Sequence, residues 1–381
     1  MTLLCDSGAP TINDLFRKHR HRLKIISADE DRAVGAIVAC RTAALGGSIQ
    51  HCLDCGTTHY AYHSCRNRHC PTCQHGARER WVEARMAELV PVPYFHVVFT
   101  MPQELRALAL RNKRVVYGIL MRMAWETLRD AGQTNLNVAL GGFAILHTWG
   151  QDLCHHPHAH FVLPGGGIGP DGKWKTSKPK YLLPVEKLKI IYRGKFLQAL
   201  EKAKRDGELE FSGRCEDLAR PGNFAELLRQ SSRKAWVVFT KKPFANPEAV
   251  LRYVGNYTHR VAISNRRILR ADDETVTFMR KDYADGGKQK PMTLPIEGFL
   301  RRFLMHVLPK GFVKIRFFGW MAHPVKEKNI WRIREQLGGK LPIPTAPKET
   351  MIACRHCGSV RIAVVGIIPP RKASDRINDT S

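Results

Sequence analysis

The chain is short of acid, of long apolar runs and of export features. Only 34 Asp and Glu stand against 61 Lys and Arg in 381 residues, a formal charge of +27. So large a surplus suits a polyanionic partner such as DNA or RNA, the alternative being a solvated basic surface. No apolar stretch approaches the roughly 20 residues that span a bilayer. The start, Met1 to Ala9, has neither a charged leader nor a long apolar core, so a signal peptide is not expected. No internal repeat is seen, and no GxxxxGK[ST] phosphate loop of the helicase type. These absences predict a cytoplasmic protein, nucleoid-associated when bound to DNA, with no membrane partner.

Enough is present to fold. Hydrophobic residues make up 44% of the chain, and the length allows one to three domains. Of 11 cysteines, seven are closely spaced, which in a protein without export signals reads as metal binding rather than disulfides. Cys52-x2-Cys55 and Cys70-x2-Cys73 are two knuckles, each able to give a tetrahedral zinc ion two thiolates. They predict one structural zinc on Cys52, Cys55, Cys70 and Cys73, with Cys65, His51, His59, His63 and His69 as spare donors. Arg66 and Arg68 beside the ligands point to nucleic-acid contact. Cys354-Arg-His-Cys357 is a further pair without a neighbouring partner, either half of an unfinished zinc site or two thiols in a tail.

Patterning places helices over 14–23, 30–45 and 78–89, and a strand over Tyr94–Thr100. One or two helices over 103–130 precede strands at Phe143–Trp149 and His158–Leu163, and another strand spans Ala235–Thr240. Asn246-Pro247-Glu248 is a helix start, with a capping Asn, Pro in the first turn and then an acid. That helix runs to about Arg260. Strands interleaved with helices predict a compact α+β domain over 91–265. A basic insert lies around 170–230. Gly165-Gly-Gly-Ile-Gly-Pro170 opens it as a flexible loop, and residues 173–205 hold eleven Lys or Arg against two acids, Glu186 and Glu201. The remaining segments are an N-terminal helical and zinc-binding domain at 1–90, a basic region at 266–340, and a linker and tail at 341–381.

His158-Ala159-His160 carries the chemistry. Side chains alternate along a strand, so both imidazoles share one face and can hold one ion. His147, at the end of the preceding strand, completes a three-histidine face, with Gln151 and Asp152 as rival third donors and His155 and His156 facing solvent. Open positions on such an ion suit phosphoryl transfer, with magnesium or manganese expected, although histidine ligands alone would also take zinc. Tyr253 and Tyr257 are one helical turn apart on the same helix face, flanked by Arg252 and Arg260, which suit phosphate binding. Metal-binding histidines and paired phenols are the parts needed to cut a phosphodiester and keep its energy in a 5′-phosphotyrosine.

These residues resemble the HUH endonucleases, and most closely the two-tyrosine rolling-circle transposases of the insertion sequence 91 family. The resemblance is carried by Ser64-Cys-Arg-Asn-Arg-His-Cys-Pro-Thr-Cys-Gln74, His147-Thr-Trp-Gly150, His156-Pro-His-Ala-His160 and Tyr253-x3-Tyr257-Thr-His-Arg-Val-Ala-Ile-Ser-Asn265. Phe303–Phe312 looks like the family's C-terminal region. The resemblance implies an HUH-type antiparallel sheet flanked by helices, and strand transfer on single-stranded DNA at transposon ends and target. It implies His158 and His160 as metal ligands and Tyr253 and Tyr257 as nucleophiles; His147 rests on the geometry alone. A plasmid replication initiator or conjugative relaxase with the same chemistry is one alternative, and a non-enzymatic zinc-dependent nucleic-acid binder is the other.

Overall fold

The computed structural model describes residues 9–178, 182–241, 247–258, 261–338 and 353–371. The chain separates into two compact units, each discontinuous in sequence. One comprises Met1–Arg80, His259–Val307 and Thr345–Ser381; the other comprises Trp81–Thr258 and Leu308–Pro344.

The second unit is built on a five-stranded sheet of β1 (Tyr94–Thr100), β2 (Gly141–Trp149), β3 (His155–Pro164), β4 (Val238–Lys241) and β5 (Ile315–Gly319). Their order is β5-β2-β3-β1-β4, and every pairing is antiparallel. The expected α+β class with an antiparallel sheet is therefore present. Its edge strand β5 comes from beyond the segment expected to hold the domain. Ile315–Gly319 reads as a short basic-aromatic stretch, and only its pairing with β2 reveals it as a strand.

Side-chain alternation divides the two faces cleanly. Phe95, Val97 and Phe99 of β1, Ala144 and Leu146 of β2, and Ala159, Phe161 and Leu163 of β3 point into one core. That core is covered by helices α1 (Lys113–Leu136) and α2 (Val185–Arg205). On the opposite face Tyr94, Phe143, Ile145 and Val162 pack with Val250, Leu251 and Val254 of helix α3 (Pro247–Thr258). His96, His147, His158 and His160 have the parity of this second face. The expected histidine strand and tyrosine helix are thus on one side of the sheet.

The basic insert differs from expectation. Gly165–Gly167 is not a flexible loop. Gly166–Ile168 pairs with Trp174–Thr176, and Gly166 is buried at φ +152, where an added Cβ would lie 2.4 Å from the Lys175 carbonyl oxygen. Only glycine fits that approach. The lysine-rich stretch that follows is mostly α2, whose Leu188, Tyr192, Phe196 and Leu200 form one buried stripe. Tyr192 and Phe196 both meet Trp236 edge-on at 5.3 Å. The positive charge is the outer face of a core helix.

In the first unit, helices Ile12–His19 and Ala28–Ala39 precede the strand Gly47–Cys52. A capping box between Thr11 and Asp14 starts the first of these. Gly47–Cys52 lies between Thr58–Tyr62 and Ile362–Ile368 in an antiparallel sheet. The expected linker and tail therefore contains a structural strand; the stretch from Ser374 lies outside the described residues. The segment Ile268–Pro295 is a three-stranded antiparallel meander leading into the helix Ile296–Leu304, and Phe303 of that helix meets Phe16 edge-on at 5.5 Å. Arg301 pairs with the buried Glu30 at 3.2 Å, so this arginine has a structural contact within the unit.

The stripe of α2 gives the first prediction. Phe196→Ala removes a fully buried ring and should cost about 3–5 kcal/mol, whereas Ile190→Lys, on the exposed side, should change stability by less than about 0.5 kcal/mol. Urea unfolding of the purified variants measures both; equal losses would mean that α2 is not packed as described.

Candidate metal and nucleophile site

Antiparallel register builds the site. His147 of β2 stands opposite His158 of β3, and His160 follows His158 by one full side-chain repeat. The donor nitrogens of His147, His158 and His160 all lie within 4.8 Å of one another, a spread that one ion can gather with small rotamer changes. Ring centroids are 4.4 Å apart for His147 and His160, and 4.8 Å for His158 and His160. Burial, reinforced by the charge of His156, pushes the His158 imidazole down to about 3, and burial lowers His160 well below the usual histidine range. Neutral imidazole is the ligating form, so desolvation keeps these rings ready for a cation.

The remaining ring nitrogens of His158 and His160 are engaged too. His158 Nδ1 donates to the His156 carbonyl at 2.6 Å, which directs Nε2 to the shared site. His160 Nδ1 lies 2.8 Å from His96 Nε2, with the two rings nearly parallel. Ligation through His160 Nε2 would leave the proton on Nδ1, to be donated to His96. Among the rival donors, Asp152 accepts from the backbone N–H and the thiol of Cys154, at 3.2 and 2.8 Å. His155 is buried rather than solvent-facing, its Nε2 2.7 Å from the Tyr117 hydroxyl. His156 is half-buried, with Nδ1 3.2 Å from Arg106.

Helix α3 lies over this face of the sheet. Tyr253 is half-buried and packs edge-on against His96, ring centroids 5.5 Å apart. It is therefore one imidazole removed from His160. Gly255, two residues from each tyrosine in sequence, is pressed against Val82, 2.5 Å from where a Cβ would sit. Lys314, just before β5, donates to the carbonyl of Thr258 at 3.1 Å and lies 5.1 Å over the Trp149 ring. A cation is favourable at a helix C-terminus, and Trp149 in turn stacks on His147 at 4.5 Å. Lys314 thus joins the end of α3 to β2. Arg252 is exposed. The side chain of Tyr257 and the whole of Arg260 lie outside the described residues, as does the capping Asn246.

At the histidine site, sequence reasoning missed His96 and Lys314. His96 sits inside an aromatic, β-branched strand pattern, where its parity with Tyr94 was the only signal. Lys314 is one lysine among many, without a local motif.

The cysteines need a correction. Cys52, Cys55, Cys70 and Cys73 are not one cluster. Cys70 and Cys73 gather with Cys65 and with Cys40, which caps the helix Ala28–Ala39, while Cys52 and Cys55 lie with Cys354 and Cys357. Cys40 Sγ is 3.3 Å and Cys65 Sγ 3.6 Å from Cys73 Sγ. Zinc bonds of ~2.3 Å in a tetrahedron set sulfurs roughly 3.8 Å apart, so this quartet fits zinc. Asn13 secures it by donating to the Ile37 carbonyl at 2.7 Å and to Cys70 Sγ at 3.6 Å, and by accepting from the Thr72 hydroxyl at 2.6 Å. The spare donor Cys65 is recruited, and Cys40, which lacks a nearby partner in sequence, completes the set. Arg66 is exposed, with φ at +51, and Arg68 is half-buried, its pKa lowered by that burial.

Comparison with known proteins finds transposase families over both parts of the chain. The family described as "Putative transposase" matches residues 141–329, and that described as "Transposase zinc-binding domain" matches residues 11–101. The "Putative transposase y4qJ" of Sinorhizobium fredii (strain NBRC 101917 / NGR234) is 47% identical over 352 residues, which cover 90% of this chain and 88% of that protein. The "Transposase for insertion sequence element IS801" of Pseudomonas savastanoi pv. phaseolicola is 28% identical over 320 residues, 83% of this chain and 76% of its own. The chain belongs to the insertion sequence 91 family of rolling-circle transposases. Among solved structures, the conjugative relaxase TrwC in complex with oriT DNA is 16% identical over 43% of this chain and 68% of that one, at a TM-score of 0.24, too slight a likeness to carry an argument.

Within this transposase, the match over 141–329 takes in the three histidines, α3 and Lys314. The zinc-binding match takes in Cys40, Cys65, Cys70 and Cys73 but ends long before Cys354. No helix among the described residues is long and apolar enough to cross a membrane.

His96 should act as a positioning residue for His160. Replacing it with alanine is expected to weaken manganese binding by roughly 10–100-fold, measured by titration calorimetry, while His96→Gln retains part of the affinity. Unchanged affinity in His96→Ala, or a loss fully explained by a lower unfolding midpoint, would refute the role.

Proposed function

We propose that this transposase nicks and rejoins single-stranded DNA at transposon ends and target through 5′-phosphotyrosine intermediates. The observation that carries the reading is the contact chain Tyr253–His96–His160, which sets a phenol beside a three-histidine cluster on the face covered by α3. His147, His158 and His160 would hold a divalent ion, magnesium or manganese. When bound, that ion supplies positive charge to the phosphate, which eases attack by a weak nucleophile.

The protein's own groups do the rest. The Tyr253 phenol forms a bond to phosphorus as the bond to the 3′ oxygen breaks; the phenol loses its proton and the 3′ oxygen leaves as a hydroxyl, having gained one. The phosphodiester's energy stays in the tyrosyl ester, so a free 3′-hydroxyl can reverse the step at a new end. Tyr257, one turn further along α3, would provide the second cleavage. Arg252, with Arg260 beyond it, would hold flanking phosphates, and Arg66 and Arg68 would contact DNA from the zinc-binding unit. The outward lysines of α2 and the net charge of +27 would track the strand's backbone, so affinity should fall steeply with salt.

The test is a covalent-adduct assay with short single-stranded oligonucleotides from the element's ends. Wild type with manganese should give a protein–DNA adduct that survives denaturation. Tyr253→Phe combined with Tyr257→Phe should give none, and His158→Ala combined with His160→Ala should lower the rate by roughly 10²-fold or more. Adduct formation at the wild-type rate by the double phenylalanine variant would sink the nucleophile assignment. Undiminished binding without cleavage in all forms would leave only a zinc-dependent DNA binder.

A further inference from the structure

Two cysteine pairs nearly 300 residues apart are folded alike. In Cys52-Leu-Asp-Cys55-Gly56, the Gly56 N–H donates to the Cys52 carbonyl at 2.9 Å and the Cys52 N–H to the Thr57 carbonyl at 3.0 Å. In Cys354-Arg-His-Cys357-Gly358, the Gly358 N–H donates to the Cys354 carbonyl at 2.9 Å and the Cys354 N–H to the Ser359 carbonyl at 2.7 Å. Gly56 and Gly358 both take left-handed φ values, +72 and +77. The two turns are one motif used twice, with glycine where the chain must reverse. Turns of this form present both sulfurs of a pair in the same direction.

The pairs face each other. Cys52 Sγ lies 3.6 Å from Cys357 Sγ, and Cys55 Sγ lies 3.7 Å from Cys354 Sγ. These separations match the roughly 3.8 Å sulfur edge of a tetrahedral zinc thiolate. The surroundings are those of a metal site. His59 Nε2 is 3.2 Å from Cys354 Sγ, as expected of an N–H that offsets thiolate charge. Across the mouth, Asp54 accepts from Arg361 at 2.7 Å and from the Ser359 hydroxyl at 2.5 Å. The Leu53 N–H donates to the Arg361 carbonyl at 2.9 Å.

We infer that Cys52, Cys55, Cys354 and Cys357 bind a second structural zinc ion, separate from that of Cys40, Cys65, Cys70 and Cys73, which fastens the strand Ile362–Ile368 to Gly47–Cys52. The four thiols give up their protons to solvent as the ion binds. Three antiparallel strands with so few buried side chains need such a staple, since Val364, Val365 and Ile367 of the last strand are 61–82% exposed. The assignment is independent of the DNA chemistry proposed above.

The experiment counts zinc in the full-length chain by plasma mass spectrometry, in a His158→Ala/His160→Ala background that removes the histidine site. Two zinc ions per chain are expected. Cys354→Ser with Cys357→Ser should leave one and should speed amide hydrogen exchange in 362–368 and 47–52. Cys65→Ser with Cys70→Ser should leave the other. One zinc in the parent, or two retained by the Cys354/Cys357 variant, overturns the site. Should the serine variant precipitate, Cys357→His decides the matter. It retains a zinc donor, so two zincs are expected, with a weakened sulfur-to-cobalt absorption after cobalt replacement. An unchanged absorption would rule Cys357 out as a ligand.

Discussion

The antiparallel register between β2 and β3 is the constraint on which the candidate site depends. It sets His147 opposite His158, and the two-residue repeat of a strand then brings His160 to the same place. A slip of one residue would turn His158 and His160 into the hydrophobic core and Ala159 and Phe161 out of it. The apolar residues on the other face therefore enforce the position of His158 and His160. Desolvation of the imidazoles, costly for a charged ring, becomes useful because only the neutral ring can bind a cation.

From the same register the next layer follows. β1 lies on the far side of β3 and contributes His96, whose ring links His160 to Tyr253 of α3. On the opposite side of β2, the segment entering β5 contributes Lys314, which holds the C-terminal end of α3. The helix carrying both tyrosines is thus held at two points, by His96 of β1 and by Lys314 of the segment entering β5. Val250, Leu251 and Val254 supply the packing between those points.

Much of this was legible in the sequence where the signal is local. The His-x-His alternation, the strand Tyr94–Thr100 and the helix carrying both tyrosines were all readable from period and spacing, and β1 spans the expected residues. What was missed depends on contacts distant in sequence. Strand β5, the strand Ile362–Ile368 and Lys314 acquire meaning only from their partners. The cysteine grouping failed for the same reason: proximity in sequence favoured joining Cys52–Cys55 to Cys70–Cys73, whereas strand pairing sends the first pair to the far end of the chain. In the basic insert, lysine count hid the apolar stripe of α2, because a helix can display abundant charge and still bury every fourth residue.

The return of the last described strand to the first sheet also has a bearing on biosynthesis. Chains emerge from the ribosome N-terminal end first, at about 5–20 residues per second. Yet the unit that contains the N-terminus also takes in residues near the C-terminus, and Gly47–Cys52 must wait for Ile362–Ile368 before both its neighbours exist. The unit bearing the histidines likewise waits for Ile315–Gly319. Neither unit can be completed from a partial message. A mobile element copy shortened at its 3′ end would therefore encode a chain with an open sheet edge and unmatched thiols, a substrate for proteolysis rather than a partly competent transposase.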